Sequence, residues 1–410
     1  MNGLDAWSSH EFLDRLSADL DGTELDVESD EGELESAFEN AAQDVEAEYR
    51  APYLAHAAME PMNCTAWVNG DRCEIWTGTQ RPLIARKTAA EAADVDVDNV
   101  IVHTLLAGGG FGRRFADDAV KRAVSVARTV DFPVQLLYSR EDDTASGFYR
   151  PAVVAKASAA LDGDGQLAAW RYRYSGTASE VDATPYATPA HSVESLEVEQ
   201  PIPTGPWRSV DHSQHGFFIE SFADELAVAA NADPFEFRRR HLPEDSRRRK
   251  VLDALEERAG WQGRGGNGQG RGVALYECFG TVVGLVIDVS VNDDDLRVDR
   301  VLCVADCGIA VNPDQVVAQM ESAILYGLSA ALSGEITSAA GAIEQDNFHN
   351  YPVIRLAEAP EIDVHLELSG AFPFGVGEPG TPPAAPALAN AVFSATGVRH
   401  RTLPLSGTSS

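Results

Sequence analysis

The chain has 410 residues, with 64 Asp and Glu against 32 Lys and Arg, and a formal net charge of −32 at pH 7. Hydrophobic residues make up 44% of the sequence, so the composition is that of a chain that buries a core and not of a disordered one. The acid excess disfavours nucleic acid and anionic membrane surfaces as partners, because both are bound through basic patches.

The basic residues are almost all arginines, since only 4 of the 32 are lysines. A surplus of carboxylates with few lysines keeps a protein hydrated in concentrated salt, where self-repulsion is screened. We therefore expect a halophile's protein, with an ordinary acidic cytosolic protein as the alternative. The sequence holds no run of 18 apolar residues, and its first residues lack the basic and apolar regions of a signal peptide. These features predict a cytoplasmic chain without a membrane span.

The five cysteines are scattered, and the pair at 303 and 307 has no second pair to complete a zinc or iron–sulfur set. We expect buried free thiols and no iron–sulfur cluster on this chain.

The predicted elements give an α+β fold in three segments. Residues 1–48 are acidic and helix-compatible, and they predict a linker; residues 49–250 and 251–410 predict two domains. Hydrophobic periodicity predicts strands at 73–78, 100–106 and 134–138, and helices at 117–130 and 217–230. After a Gly-rich stretch at 263–272, which predicts a loop or linker, come strands at 281–291 and 297–306 and helices at 313–333 and 384–396.

A glycine-rich segment, AGGGFGRR at 107–114, lies between a predicted strand and a predicted helix. Glycines let the backbone approach a ligand, and free N–H groups at a helix start favour an anion. A dinucleotide fingerprint needs glycine where Arg113 stands, and a Walker A loop needs a Gly-Lys-Ser/Thr that is absent. The segment predicts an anion site of neither common nucleotide type; a tight structural turn is the alternative.

Three polar residues stand in rigid or aromatic surroundings. Glu378 is fixed between Gly377 and Pro379 on non-helical backbone, where a general base with a set direction would be placed; a solvated surface glutamate is the alternative. Arg208 follows a Pro/Gly-rich approach and Trp207, and it either pairs an anionic or polar group or is a buried structural arginine. Gln80 follows a predicted strand and precedes the glycine loop, but by itself it does not indicate a function.

Together these segments carry a family resemblance. They recur in one order: HAAMEPMN at 56–63, TQ at 79–80, GGGFGRR at 108–114, SREDD at 139–143, FYRP at 148–151, GPWRS at 205–209, ESFADELA at 220–227, CGIAVNPD at 307–314, QMESAILYGLSAAL at 319–332 and GVGEPGTPPAAPALANA at 375–391. The order resembles the large, molybdopterin-binding subunit of the xanthine dehydrogenase/aldehyde oxidase family. It is most similar to the branch of the isoquinoline 1-oxidoreductase beta subunit, over about residues 48–405.

The resemblance implies two mixed α/β molybdopterin-binding domains and a molybdenum hydroxylase activity. In this family a molybdenum held by the dithiolene of a pterin cofactor inserts a water-derived oxygen at an electron-poor carbon of an aldehyde or N-heterocycle. Two electrons leave through a small [2Fe-2S] partner subunit. We expect molybdopterin in its cytosine dinucleotide form, and no protein side chain as a metal ligand, because the cofactor supplies the sulfur ligands.

The resemblance also implies roles for individual residues. Glu378 matches the family's base, Gln80 the amide that hydrogen-bonds an oxygen ligand of molybdenum, and Arg208 an arginine that orients substrate or stabilises negative charge. The implied cofactor-binding residues are Gly109, Gly110, Phe111, Gly112, Arg113, Gln319, Ser322, Ala323 and Gly377. The implied walls of the substrate pocket are Trp207, Gly280, Thr281 and Val282.

One departure from the family changes the expected partners. The N-terminal part of this branch carries a Met-Gly-Gln-Gly loop that grips the cofactor, and this sequence contains no MGQG. We expect a separate polypeptide to supply that part, beside the [2Fe-2S] subunit and a small-molecule substrate. One alternative is a truncated, non-catalytic remnant or assembly module of such a subunit. A weaker one is a metal-free hydrolase that uses Glu378 with a histidine such as His212.

Overall fold

The structure is a computed structural model that describes residues 7–22, 24–176, 181–292 and 295–405. Within these ranges the helices are α1 (Ser9–Asp19), α2 (Leu34–Glu39), α3 (Pro82–Ala93), α4 (Asp118–Ala127), α5 (Arg140–Ala145), α6 (His212–Ala229), α7 (Pro234–Arg240), α8 (Arg247–Ala259), α9 (Pro313–Ser333) and α10 (Ala384–Thr396).

The strands within the same ranges begin with β1 (Asp26–Glu31), β2 (Gln43–Ala51), β3 (Asn63–Asn69), β4 (Arg72–Thr77), β5 (Val100–Thr104), β6 (Val134–Leu137), β7 (Val153–Leu161), β8 (Leu167–Ser175) and β9 (Ala190–Leu196). They continue with β10 (Gly265–Gly266), β11 (Gln269–Cys278), β12 (Thr281–Asn292), β13 (Asp295–Asp306), β14 (Ser338–Ala339), β15 (Ala342–Ile343) and β16 (Glu361–Leu366).

A small α/β unit between residues 63 and 137 places the first part of the site. Its sheet has the order β5-β4-β3-β6, and small alanines of α3 and α4 allow both helices to pack closely on it. Strands β4 and β5 are parallel, with Thr77 opposite Thr104. Gln80 follows β4 and the glycine loop follows β5, so both lie at the carboxyl edge of the sheet, where parallel strands present ligand-binding loops.

The described residues also form two five-stranded sheets, in the orders β1-β9-β8-β7-β2 and β10-β11-β12-β13-β16, and a two-stranded sheet of β14 and β15. Helix α6 is buried almost all round and contacts β2, β7, β11 and α10, so it lies inside the protein. Side chains of both five-stranded sheets, α6 and α10 share one continuous hydrophobic core. A helix that is buried on every side needs such layers around it.

A buried ion pair joins α6 to the second sheet. Glu220 accepts hydrogen bonds from Arg238 Nε at 3.0 Å and from the Leu275 N–H at 2.8 Å, and neither side chain of the ion pair is exposed to solvent. Arg238 also donates to the carbonyls of Glu220 and Val273. Because the buried charges are paired and hydrogen-bonded on several sides, removing one partner is expected to destabilise the fold strongly.

Two expectations about organisation differ from the structure. The segment 1–48 is not a helical linker, because β1 pairs with β9 and β2 pairs with β7 in the first large sheet. Strand β1, with the sequence DVESDE, is an exposed edge strand, so it lacks the alternation of apolar residues that signals a strand. The Gly-rich stretch 263–272 forms β10 and the start of β11, and Gly270 and Gly272 let α10 approach that strand.

Other sequence predictions are confirmed. The helices at 313–333 and 384–396 have the expected bounds, and the strands at 73–78, 100–106, 134–138, 281–291 and 297–306 are present with ends shifted by at most two residues. All five cysteines are buried and free. Helix α9 is long and apolar enough to span a membrane by length and composition, a test that core helices also pass, and here it packs against α10 and β16.

Candidate active site

The glycine loop after β5 requires glycine at several positions. Gly109 and Gly112 have φ of +101° and +105°, and a Cβ on Gly112 would lie 1.8 Å from the Pro206 carbonyl oxygen. A Cβ on Gly110 would lie 2.6 Å from Gln80 Oε1. Phe111 also adopts a left-handed conformation, at +54°. These contacts place the loop against Gln80 and the segment before Arg208.

Two side chains that the sequence did not identify as site residues fasten this loop. The Gly108 N–H donates to Glu60 Oε2 at 2.6 Å, and buried Arg114 donates to the Gly109 carbonyl at 2.7 Å and to Glu60 Oε2 at 2.8 Å. Partial burial acts to raise the pKa of Glu60, but hydrogen bonds from Gly108 and Asn63 and the charge of Arg114 leave this pKa below its usual value. The ionised carboxylate of Glu60 therefore holds the loop in place.

Three backbone N–H groups of the glycine loop are free to donate to a ligand. Among the described residues, the N–H groups of Gly109, Gly110 and Phe111 make no hydrogen bond, and that of Gly112 donates to Gln80 Oε1 at 3.2 Å. The side chain of Arg113 is not among these free donors, because it is 2% exposed and forms ion pairs with Asp118 and Asp143. Its predicted contact with a cofactor stays a prediction.

Arg208 joins the glycine loop to the segment that carries Glu378. Its guanidinium lies 5.7 Å from the ring centre of Phe111 and donates from Nε to the Gly377 carbonyl at 2.8 Å. It also donates to Ser322 Oγ at 3.0 Å and to Gln319 Oε1 at 3.2 Å on α9. Burial lowers its pKa, although the nearby carboxylate of Glu378 opposes the shift. Most donors of Arg208 are engaged by protein, so its role in orienting substrate stays a prediction.

The Glu378 carboxylate is held from one side. Its Oε1 accepts a hydrogen bond from the Ser209 N–H at 3.0 Å, and its own carbonyl accepts one from Ser209 Oγ at 2.8 Å. The side chain is half-buried, so it is accessible from the other side. Within the described residues, its Oε2 has no hydrogen-bond partner. One oxygen is fixed and the other is open, which is the arrangement a general base requires.

The predicted residues of α9 lie beside Arg208 and the segment that carries Glu378. Gln319 and Ser322 are exposed apart from their bonds to Arg208, whereas Ala323 is buried and its carbonyl accepts from Thr381 Oγ1 at 3.3 Å. Beside them Phe111 stacks on Tyr326 at 4.6 Å, and Trp207 stacks on Tyr326 at 4.7 Å. A largely apolar cavity of about 480 Å³ opens against these three rings. The structure thus brings Phe111, Trp207, Arg208, the α9 residues and Gly377 together.

Two of the other predicted wall residues, Gly280 and Thr281, contact the segment that precedes Glu378. Thr281 Oγ1 donates to the Gly375 carbonyl at 2.7 Å, and a Cβ on Gly280 would lie 2.3 Å from the ring of Phe374. Thr281 and Val282 are buried, with Val282 in the main core. Their contact with a substrate stays a prediction.

His212 does not pair with Glu378 in the described part of the chain. It is buried, its Nδ1 lies 3.3 Å from Tyr276 Oη, and burial lowers its pKa to about 4. The hydrolase alternative therefore has no supporting contact.

These residues fit a large anionic cofactor. The loop presents three free N–H groups, Gln80 lies against it, and Gln319 and Ser322 lie nearby through Arg208, which contacts Phe111. Backbone N–H groups in such a concave arrangement favour phosphate-bearing ligands.

Comparison with known proteins agrees with this geometry. Residues 19–242 match a sequence family described as molybdopterin cofactor-binding domain, and residues 248–360 match a second family with the same description. The chain is 31% identical over 385 residues to the beta subunit of isoquinoline 1-oxidoreductase from Brevundimonas diminuta, a match that covers 87% of this chain and 49% of the relative. The chain belongs to the molybdopterin-binding subunits of the xanthine dehydrogenase/aldehyde oxidase family.

A second relative and one solved structure are also similar to this chain. A nicotinate dehydrogenase subunit from Pseudomonas putida is 29% identical over 420 residues, covering 92% of this chain and 35% of the relative. The fold is similar to that of quinoline 2-oxidoreductase from Pseudomonas putida 86, with a TM-score of 0.80 at 15% identity over 93% of this chain and 78% of that one. The chain spans about half the length of the isoquinoline 1-oxidoreductase subunit and about a third of the length of the nicotinate dehydrogenase subunit.

Proposed function

We propose that this chain is the part of a molybdenum hydroxylase that holds molybdopterin and carries the catalytic base. The reaction would insert a water-derived oxygen at an electron-poor carbon of an aldehyde or N-heterocycle. The substrates named for the relatives, isoquinoline and nicotinate, are N-heterocycles of this kind. The proposal rests chiefly on one observation, the Glu378 carboxylate fixed at Oε1 and open at Oε2 beside Arg208.

Further parts of the enzyme belong to the proposal. A small [2Fe-2S] subunit would take the electrons, and the region with the Met-Gly-Gln-Gly loop, which this sequence does not contain, would complete the cofactor site. Both of these relatives are themselves single subunits of larger enzymes, which supports a multi-subunit assembly. The cytosine dinucleotide is the proposed cofactor form. When bound, the cofactor would supply the molybdenum that transfers oxygen and accepts two electrons.

The chain's own residues would bind the cofactor and accept a proton during the reaction. The Gly109, Gly110 and Phe111 N–H groups bind the anionic cofactor. Gln80 Oε1 accepts from the Gly112 N–H, so its amide NH₂ group would be available to donate to an oxygen ligand of the cofactor's metal. Glu378 Oε2 accepts the proton of the attacking group, a step that contributes about 10²–10⁴-fold to the rate. Arg208 holds Gly377 and α9 in one position around this carboxylate.

The test is Glu378→Gln, with exposed Glu257→Gln on α8 as the matched control. Each protein is purified in high salt from a cofactor-producing host, once alone and once with the partner chains. Molybdenum per chain is measured by elemental mass spectrometry, and turnover is measured with isoquinoline, nicotinate and an aldehyde. We expect bound molybdenum in every variant made with the partners and a loss of turnover of about 10²–10⁴-fold only in Glu378→Gln.

Two results would count against the proposal. Full turnover of Glu378→Gln would remove Glu378 as the base. Absence of molybdenum from the wild-type protein in both preparations would favour the non-catalytic remnant.

A further inference from the structure

Ser209 occupies an unusual backbone position next to the proposed base. The Val210 N–H donates to the Trp207 carbonyl at 2.6 Å, which closes a tight turn over Arg208 and Ser209. Ser209 has φ of +78° and Val210 has φ of +48°. Glycine is the residue that reaches such φ values without strain, so a serine here is a local cost that persists only if its surroundings require it.

The contacts of Ser209 explain what the serine adds. Its N–H holds the Glu378 carboxylate, and its hydroxyl donates to the Glu378 carbonyl. Glycine would supply the same N–H without strain, so only the hydroxyl requires a side chain. Ser209 is fully buried, which leaves this hydroxyl no exchange with bulk water.

The segment around Glu378 depends on such an anchor. Gly375 and Gly377 precede the glutamate, and two glycines within three residues leave the backbone free to adopt several conformations. The Gly377 carbonyl is held by Arg208, and the Glu378 carbonyl is held by Ser209 Oγ and by the Thr381 N–H at 2.9 Å. One turn, Trp207–Val210, thus holds the carboxylate, its own carbonyl and the carbonyl before it.

We infer that Ser209 is a positioning residue that fixes the direction of the Glu378 carboxylate through its strained backbone and its hydroxyl. This inference rests on the proposed function, in which Glu378 is the base. Loss of the hydroxyl lets the 375–378 backbone move, and displacement of a catalytic group by 1 Å costs up to about 10²-fold in rate.

The experiment compares Ser209→Gly with Ser209→Ala in the complex with the partner chains. Both variants lose the hydroxyl and keep the N–H, but only glycine also removes the backbone strain. The matched control is Ala340→Gly, because Ala340 has φ of +50°, is exposed, and lies in the turn between β14 and β15.

We expect Ser209→Gly to bind as much molybdenum as the wild type and to melt at the same temperature or up to about 1–3 °C higher. Its kcat should fall about 10–100-fold, with KM changed by less than about threefold. Ser209→Ala should lose kcat to the same degree without the gain in melting temperature. Ala340→Gly should keep wild-type kcat. A purely structural role for Ser209 would lower the melting temperature and leave kcat per molybdenum unchanged.

Hydrogen–deuterium exchange of the 376–381 peptide tests the anchor without relying on turnover. We expect faster exchange there in both Ser209 variants than in the wild type and Ala340→Gly. Wild-type kcat together with unchanged exchange in Ser209→Gly would overturn the inference while leaving the proposed function in place. A wild-type complex without molybdenum or turnover would overturn the proposed function, and the exchange result would still decide whether Ser209 anchors this segment.

Discussion

The substitution Gly112→Ala should separate the glycine loop from the turn that carries Arg208. The new Cβ would lie 1.8 Å from the Pro206 carbonyl oxygen and 2.6 Å from its carbon, both backbone atoms that cannot rotate away. The two segments must therefore separate by more than 1 Å, since Cβ contacts below 3.0 Å are essentially never seen. This movement also breaks the 2.8 Å hydrogen bond between His56 Nε2 and the Pro206 carbonyl.

Two effects add to the expected loss of stability. Alanine at the Gly112 φ of +105° is destabilising by about 1–2 kcal/mol. The buried His56 left without its partner adds about 1–3 kcal/mol. The free energy of unfolding should therefore fall by about 2–5 kcal/mol. Turnover per bound molybdenum should fall about 10²-fold, because Arg208 and Glu378 move away from the loop.

The sequence offers a closely matched control in Gly263. This glycine has φ of +106°, and no atom lies within 4 Å of the position of its Cβ. Gly263→Ala should show only the backbone strain, about 1–2 kcal/mol, and wild-type turnover. The assay is urea unfolding followed by tryptophan fluorescence, with molybdenum content and turnover measured on the same preparations. Equal stability and equal turnover of the two alanine variants would refute the proposed close contact between the loop and Pro206.

Two further predictions concern pH and salt. Burial lowers the pKa of His56 and His212 to about 4 and that of His215 to about 3, so each histidine is neutral in the folded protein and protonated in the unfolded chain between these values and about 6.5. Stability is then complete above about pH 6.5 and falls by about 3 kcal/mol per histidine as the pH drops to about 4; a melting temperature that is flat from pH 7 to 4.5 would contradict this. With a net charge of −32, the melting temperature should also rise between about 0.1 M and 2 M KCl as self-repulsion is screened, and a fall would contradict the proposed adaptation to salt.

Much of the site could be predicted from the sequence because its parts have local signals. Glycines in a row allow a left-handed backbone, a proline restricts the residue before it, and an arginine after tryptophan indicates a paired cation. The structure brings these segments together around Arg208, which touches Phe111, Gly377 and α9. The helix at 384–396, mostly small and apolar, was also predictable because its composition favours a buried position.

The rest of the site depends on contacts between residues far apart in the chain. Glu60 and Arg114 are 54 positions apart, and nothing near either residue indicates that they jointly fasten the glycine loop. Ser209 gives no signal at all, because a left-handed φ at a serine cannot be read from its neighbours. Strand β1 was missed for a different reason, since its acidic residues face solvent on both sides.

The buried pairing of Glu220 with Arg238 and Leu275 has a consequence for how the chain can be divided. The two matched regions meet between residues 242 and 248, yet Glu220 belongs to the first and Leu275 to the second. Cleavage at that junction would leave the Glu220–Arg238 ion pair uncovered on one fragment and the Leu275 N–H without its acceptor on the other. The two matched regions are therefore not interchangeable modules, and neither fragment would reach its native state until it had associated with the other.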